Sequence, residues 1–146
     1  MISLARQLSA AAIALLLTAS PSSAAGQKVL MLLSSDNGET QTMNLVLANQ
    51  MQGAGNSVHL LLCGVAGDMA LKTAPDVALK PMTPQGLSVR GLMEALMKKG
   101  ATVEVCAIYL PYRKLQPDAL VEGVKPASPK DIAAMMVEPA VRVLGQ

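Results

Sequence analysis

The amino-acid sequence predicts an α/β protein, a three-layer sandwich with a mostly parallel sheet. Two near-continuous apolar runs, residues 28–33 (Lys-Val-Leu-Met-Leu-Leu) and 57–63 (Ser-Val-His-Leu-Leu-Leu-Cys), have the composition of strands covered on both faces. Between and after them, apolar side chains recur at helical spacing. Strands that alternate with amphipathic helices build a sheet with helices packed on it.

The chain has 146 residues, and residues 1–24 read as a secretory signal rather than as fold. Arg6 gives a positive start, residues 10–17 form a short apolar core, and Pro21-Ser22-Ser23-Ala24 supplies a breaker and small residues for cleavage. That core is shorter than the roughly 20 residues a bilayer span needs. No Cys follows it to carry a lipid, and no Arg-Arg pair marks the twin-arginine route. The expectation is export to the periplasm, with residues 25–146 as a single domain and no membrane attachment after cleavage.

Without Arg6 the chain holds 11 basic and 10 acidic residues. Such a balance creates no steering field, so nucleic acid is excluded as a partner on this ground. The chain is strongly apolar for its charge content, 51% against 15%, which points to burial in a homo-oligomer. No Walker loop, GxGxxG or Ser-His-Asp set is present, and the sequence implies no cofactor.

Within the domain, residues 28–33 are the first strand and Ser34-Ser35-Asp36-Asn37-Gly38 is a turn rich in helix caps. Met43, Val46, Leu47 and Met51 mark the next helix, closed by Gly53 and Gly55. Residues 57–63 complete a right-handed βαβ unit with parallel strands. Residues 64–85, punctuated by Gly64, Gly67, Pro75, Pro81 and Pro84, read as a long ordered loop with one short helical turn near residues 68–72. Val89, Leu92, Met93, Leu96 and Met97 form a clear helical stripe ending at Lys98-Lys99-Gly100. Residues 102–108 are the third strand, stopped by Pro111, and a short strand is read near residues 121–124. Ser128-Pro129 opens a last helix with stripe Ile132, Met135, Met136, Ala140 and Val143, kinked or ended by Pro139.

Ligands of parallel sheets sit beyond the carboxyl ends of the strands, and both cysteines, Cys63 and Cys106, occupy such ends. An exported protein with two cysteines invites a disulfide. A 2-1-3 strand order, however, would separate them by two strand spacings, roughly 9–10 Å. That exceeds the limit of about 7 Å between bridged Cα atoms, so the expectation is two free thiols. Cys106 is the favoured nucleophile. The only aromatic residues, Tyr109 and Tyr112, lie within six residues of it, and Arg113 follows as a cation. The plainer reading makes Cys106 a small buried hydrophobe.

Lys80-Pro81, Gly86 leading residues 87–97, Gly100-Ala101-Thr102-Val103-Glu104-Val105-Cys106, Arg113, and Leu120-Val121-Glu122-Gly123-Val124 together resemble the DsrE and DsrE-like family. The first βαβ unit fits the same pattern, so the resemblance spans essentially the whole mature chain. It implies a flavodoxin-like open sheet, assembly as trimers or hexamers, and sulfur relay through a persulfide on Cys106. Two departures stand out. Lys114 replaces a usual Gly, and Tyr109-Leu110-Pro111-Tyr112 replaces a small, polar or second-Cys loop.

Other candidate positions have simpler accounts. His59 lies four residues before Cys63, but two ligands without a third make no metal site, and a structural His is expected. The ten methionines read as core packing in a chain without Phe or Trp. Glu104 shares a strand face with Cys106 and reads as a solvent-facing side chain. Asp36 and Asn37 are placed to touch a ligand, as Tyr109, Tyr112 and Arg113 are, although a turn alone explains them. Two function classes remain: a sulfur carrier or sulfurtransferase with a protein donor or acceptor, and a non-catalytic oligomeric module that binds a small ligand or a partner.

Overall fold

The first four strands follow one another across the sheet in chain order, and the last lies beside the first. The computed structural model describes residues 26–145, so the expected signal segment lies outside the described residues. Strands β1 (Lys28–Leu33), β2 (Ser57–Leu62), β3 (Thr102–Val105), β4 (Lys125–Pro126) and β5 (Val141–Gly145) form one sheet in the order β4-β3-β2-β1-β5. Every pairing in it is parallel. The predicted α/β class is therefore correct. The 2-1-3 order is not: β2 lies between β1 and β3, and β1 pairs on its other side with the C-terminal strand.

Handedness places the helices. Right-handed crossovers that step in one direction lay their helices on the same face of a sheet. The steps from β1 to β2 and from β2 to β3 carry α1 (Gly38–Gly53) and α3 (Val89–Lys98). Leu45, Ala48, Leu92, Met93 and Leu96 of these helices pack with Leu60, Leu62, Val103 and Val105 of the strands. The return from β4 to β5 runs the other way and puts α5 (Pro129–Val137) on the opposite face, where Ile132 joins Leu30, Leu61 and Ala127.

The α3 stripe is the one read from the sequence, with Ser88 capping it by accepting from the Gly91 amide. In α1 the stripe is half in phase: Val46 and Met51 pack, partly buried, against the core, and Met43 and Leu47 do not. Gln41, Asn44, Leu45, Ala48 and Asn49 face inward, while Met43 is 57% exposed and Leu47 is exposed as well. Polar residues are tolerated inside because they are bonded: Asn49 Nδ2 donates to the carbonyls of Leu45 and Leu92, stitching α1 to α3. Met43 and Met136 are thus surface side chains, whereas Met31, Met69 and Met93 fill the core.

Residues 64–85 hold more structure than one turn, a 3₁₀ segment (Gly64–Ala70) and the short α2 (Asp76–Leu79). The third strand is shorter than predicted. It ends at Val105, and Tyr109–Arg113 is a one-turn helix, α4. Pro111 sits in its first turn, where a backbone N–H has no intrahelical partner anyway. Residues 121–124 are a turn leading into β4, not a strand. Pro139 does end the last helix, but Val143 belongs to β5, not to a continued helical stripe.

Candidate functional site

Cys63 and Cys106 are the first residues beyond β2 and β3. The register pairs Leu62 with Val105, so the two cysteines stand side by side at the carboxyl edge of neighbouring central strands. Each backbone is fixed by a ladder bond: the Cys63 amide donates to Leu33 and the Cys106 amide to Leu62. Their Cα atoms are 5.1 Å apart and the side chains form a disulfide. The expectation of two free thiols is thereby overturned. It rested on a strand order that would have put β1 between them, and in this sheet nothing does.

Both cysteines are half-buried, and each opens on solvent through apolar walls. One hollow, of about 480 Å³, is lined by both cysteines with Val65, Ile108, Tyr112 and Arg113. A second, of about 300 Å³, runs from Cys106 and Ile108 to Ile132 and Met136 of α5. Ile108 belongs to both and is 76% exposed, and Tyr112 is 86% exposed. Large apolar side chains left in water around a disulfide make a surface suited to an apolar or soft ligand.

Arg113 does not present a free cation to the sulfurs. Its guanidinium pairs with Asp68 Oδ1 at 2.9 Å and lies over the Tyr109 ring, 5.0 Å from the ring centre. The same carboxylate oxygen accepts the Tyr109 hydroxyl at 2.7 Å. Tyr109 is itself buried, its ring lying against Gly67, where any Cβ would collide with it. Burial, and then the bond to Asp68, push the Tyr109 phenol above its ordinary pKa. The tyrosine closest in sequence to Cys106 is thus a packed, hydrogen-bonded side chain, and the exposed one is Tyr112.

The remaining predicted positions lie apart from the hollows. The Asn37 side chain caps α1 by accepting from the Thr40 amide, and Asp36 is exposed in the same turn. Glu104, read from sequence as solvent-facing, is only 7% exposed. Its carboxylate accepts from His59 Nε2 at 2.8 Å and lies 3.6 Å from Lys125 Nζ. His59 is accordingly a satisfied structural histidine. Asp68 was missed by sequence reading, because its partners Tyr109 and Arg113 lie more than forty residues away and nothing local marks it.

Lys114 closes α4 with φ 57° and ψ 35°, the only non-glycine residue at positive φ among those described. That conformation accounts for the glycine usual there in the resembling family, since a Cβ is disfavoured in the left-handed region.

No protein-family model matches this chain, and no curated protein sequence does. Solved structures do match it. The YchN protein from E. coli superposes with a TM-score of 0.65 at 18% identity, covering 82% of this chain and 99% of that one. A protein of unknown function from Methanobacterium thermoautotrophicum, MTH1491, gives 0.64 at 12% identity, with the same two coverages. The conserved protein BT1422 of Bacteroides thetaiotaomicron, also of unknown function, gives 0.57 at 16%, covering 82% and 95%. At these identities the likeness is one of fold: this chain has the parallel α/β architecture of YchN.

Proposed function

We propose that the protein is an exported, DsrE-like thiol protein that handles sulfane sulfur through a Cys63–Cys106 pair able to open and close. The observation supporting this is the placement of both cysteines, joined and half-buried at the carboxyl edge of adjacent central strands where they line an apolar hollow. In the bridged form Cys106 holds no thiol and carries no sulfur. Reduction by an external dithiol, which takes up the oxidising equivalents, frees it.

The chemistry then balances without a further oxidant. The Cys106 thiolate attacks the outer sulfur of a persulfide donor, forming a new S–S bond and releasing the donor's thiolate. The Cys63 thiolate next attacks Cys106 Sγ, which re-forms the Cys63–Cys106 bond and expels hydrosulfide with the bonding pair. An acceptor thiol that reaches the persulfide before Cys63 does would take the sulfur instead. Ile108, Val65 and Tyr112 border the approach, and their apolar surface suits a soft, weakly hydrated sulfur species.

Intact mass after incubation of anaerobically reduced protein with an organic persulfide tests this. Cys63→Ser should gain the mass of one sulfur atom and keep it. The wild type should release hydrosulfide and return to the disulfide, and Cys106→Ser should do neither. A Cys63→Ser protein that gains no sulfur refutes the proposal. So does a wild-type reduction potential below about −300 mV, the range of structural disulfides.

The exposed Ile108, Tyr112 and Val65 favour a second reading, a homo-oligomeric module that binds a ligand or partner and whose disulfide is only a staple. Trimers or hexamers belong to both readings and are checked by light scattering. Export is checked by N-terminal sequencing, which should find Ala25 or Gly26.

A further inference from the structure

The segments that leave the two cysteines are joined a second time. The 3₁₀ segment follows Cys63 directly, and α4 begins three residues after Cys106. Asp68 in the first segment accepts the Tyr109 hydroxyl at 2.7 Å and pairs with Arg113 at 2.9 Å, both from the second. The Tyr109 ring seats on Gly67, and Arg113 covers the ring at 5.0 Å. None of these residues carries a reacting sulfur.

On the reading that the pair opens and closes, we infer that Asp68 is a positioning residue: its hydrogen bond to Tyr109 and ion pair with Arg113 hold the segments flanking Cys63 and Cys106 together and favour closure of the disulfide. The tendency of a dithiol to close is set by the effective concentration of one thiol at the other. A clamp that persists after reduction keeps that concentration high. A clamp that loosens on reduction adds its own free energy to the oxidised form alone, by linkage. Both cases have one sign, and loss of the clamp makes the disulfide easier to reduce.

Wild type, Asp68→Asn and Tyr109→Phe are each equilibrated with graded ratios of reduced to oxidised dithiothreitol, and free thiols are counted by alkylation and intact mass. Asp68→Asn removes the charge that holds Arg113, and its equilibrium constant for reduction should rise about tenfold, a shift of about 30 mV for two electrons. Tyr109→Phe keeps the ring on Gly67 and loses only the hydroxyl bond, so a smaller rise in the same direction is expected. A merely structural Asp68 would lower the melting temperatures of the oxidised and reduced forms alike and leave the equilibrium constant unchanged. An Asp68→Asn titration within twofold of wild type overturns the inference. Should that variant fail to fold, an unshifted Tyr109→Phe curve overturns it instead. The shift between variants decides the role of Asp68, whereas the absolute position of the wild-type curve decides whether the pair is redox-active at all.

Discussion

Reducing the Cys63–Cys106 bond removes a cross-link that closes a long loop, since the two residues are 43 apart in sequence. In the chain-entropy treatment a loop of that length restricts the unfolded ensemble by about 4 kcal/mol at room temperature. The folded side should add little correction, because both cysteine backbones are held by ladder bonds to β1 and β2 that do not involve the sulfurs. Against a total stability of about 5–15 kcal/mol for a domain of this kind, that is a large share. It corresponds to a fall in melting temperature of about 15 °C, at roughly 4 °C per kcal/mol for a domain of this size. The assay is paired thermal or urea unfolding of the oxidised protein and of protein held reduced, with the redox state of each read by alkylation. The double variant Cys63→Ala, Cys106→Ala is the control that reductant must not affect. Transitions of the two forms lying within about 1 kcal/mol would refute the reasoning, by showing that the unfolded chain gains no freedom from the opened loop.

Three further outcomes are expected. Lys114→Gly should raise stability by about 1 kcal/mol, measured by urea unfolding, because it relieves a Cβ held at φ 57°. Gly67→Ala should destabilise by about 1–3 kcal/mol in the same assay, because its methyl falls within the space of the Tyr109 ring. The third concerns alkaline pH. The Tyr109 phenol is raised in the folded state, so its contribution is full below the ordinary tyrosine value and is lost as pH climbs above about 10. Unfolding free energy measured from neutral to alkaline pH should therefore fall more steeply there for wild type than for Tyr109→Phe. Its phenolate absorbance should appear only as the protein unfolds.

What the sequence made legible was local. The near-continuous apolar runs of β1 and β2 have the composition of buried strands, and Ser128 announces its helix by the amide it caps. The phase of α1 was only half legible because Asn44 and Asn49 are buried on the strength of hydrogen bonds, one of them to a helix 43 residues away. Val141–Gly145 escaped because a five-residue strand with three exposed positions, just past a helix, shows no clear alternation. Strand order was the costly miss. A βαβ unit fixes handedness but not on which side of β1 the next strand lands, and the spacing of the cysteines turns on that choice alone. Their position at strand ends was legible, and so was the cluster of Cys106, Tyr109, Tyr112 and Arg113. That Arg113 and Tyr109 turn toward Asp68 depends on packing between two segments no local pattern connects.

The bridge also changes the chain's connectivity. Residues 63–106 become a covalent ring containing the 3₁₀ segment, α2, α3 and β3, and everything else is carried on two tails that leave it at neighbouring points of one sheet edge. A single backbone cut within the ring, for instance in the proline-marked stretch between α2 and α3, opens a circle without releasing a fragment. The nicked molecule stays one covalent piece for as long as the two sulfurs remain joined. The redox state of the pair would then decide whether a proteolytic nick in this region separates the halves of the sheet or leaves no visible mark.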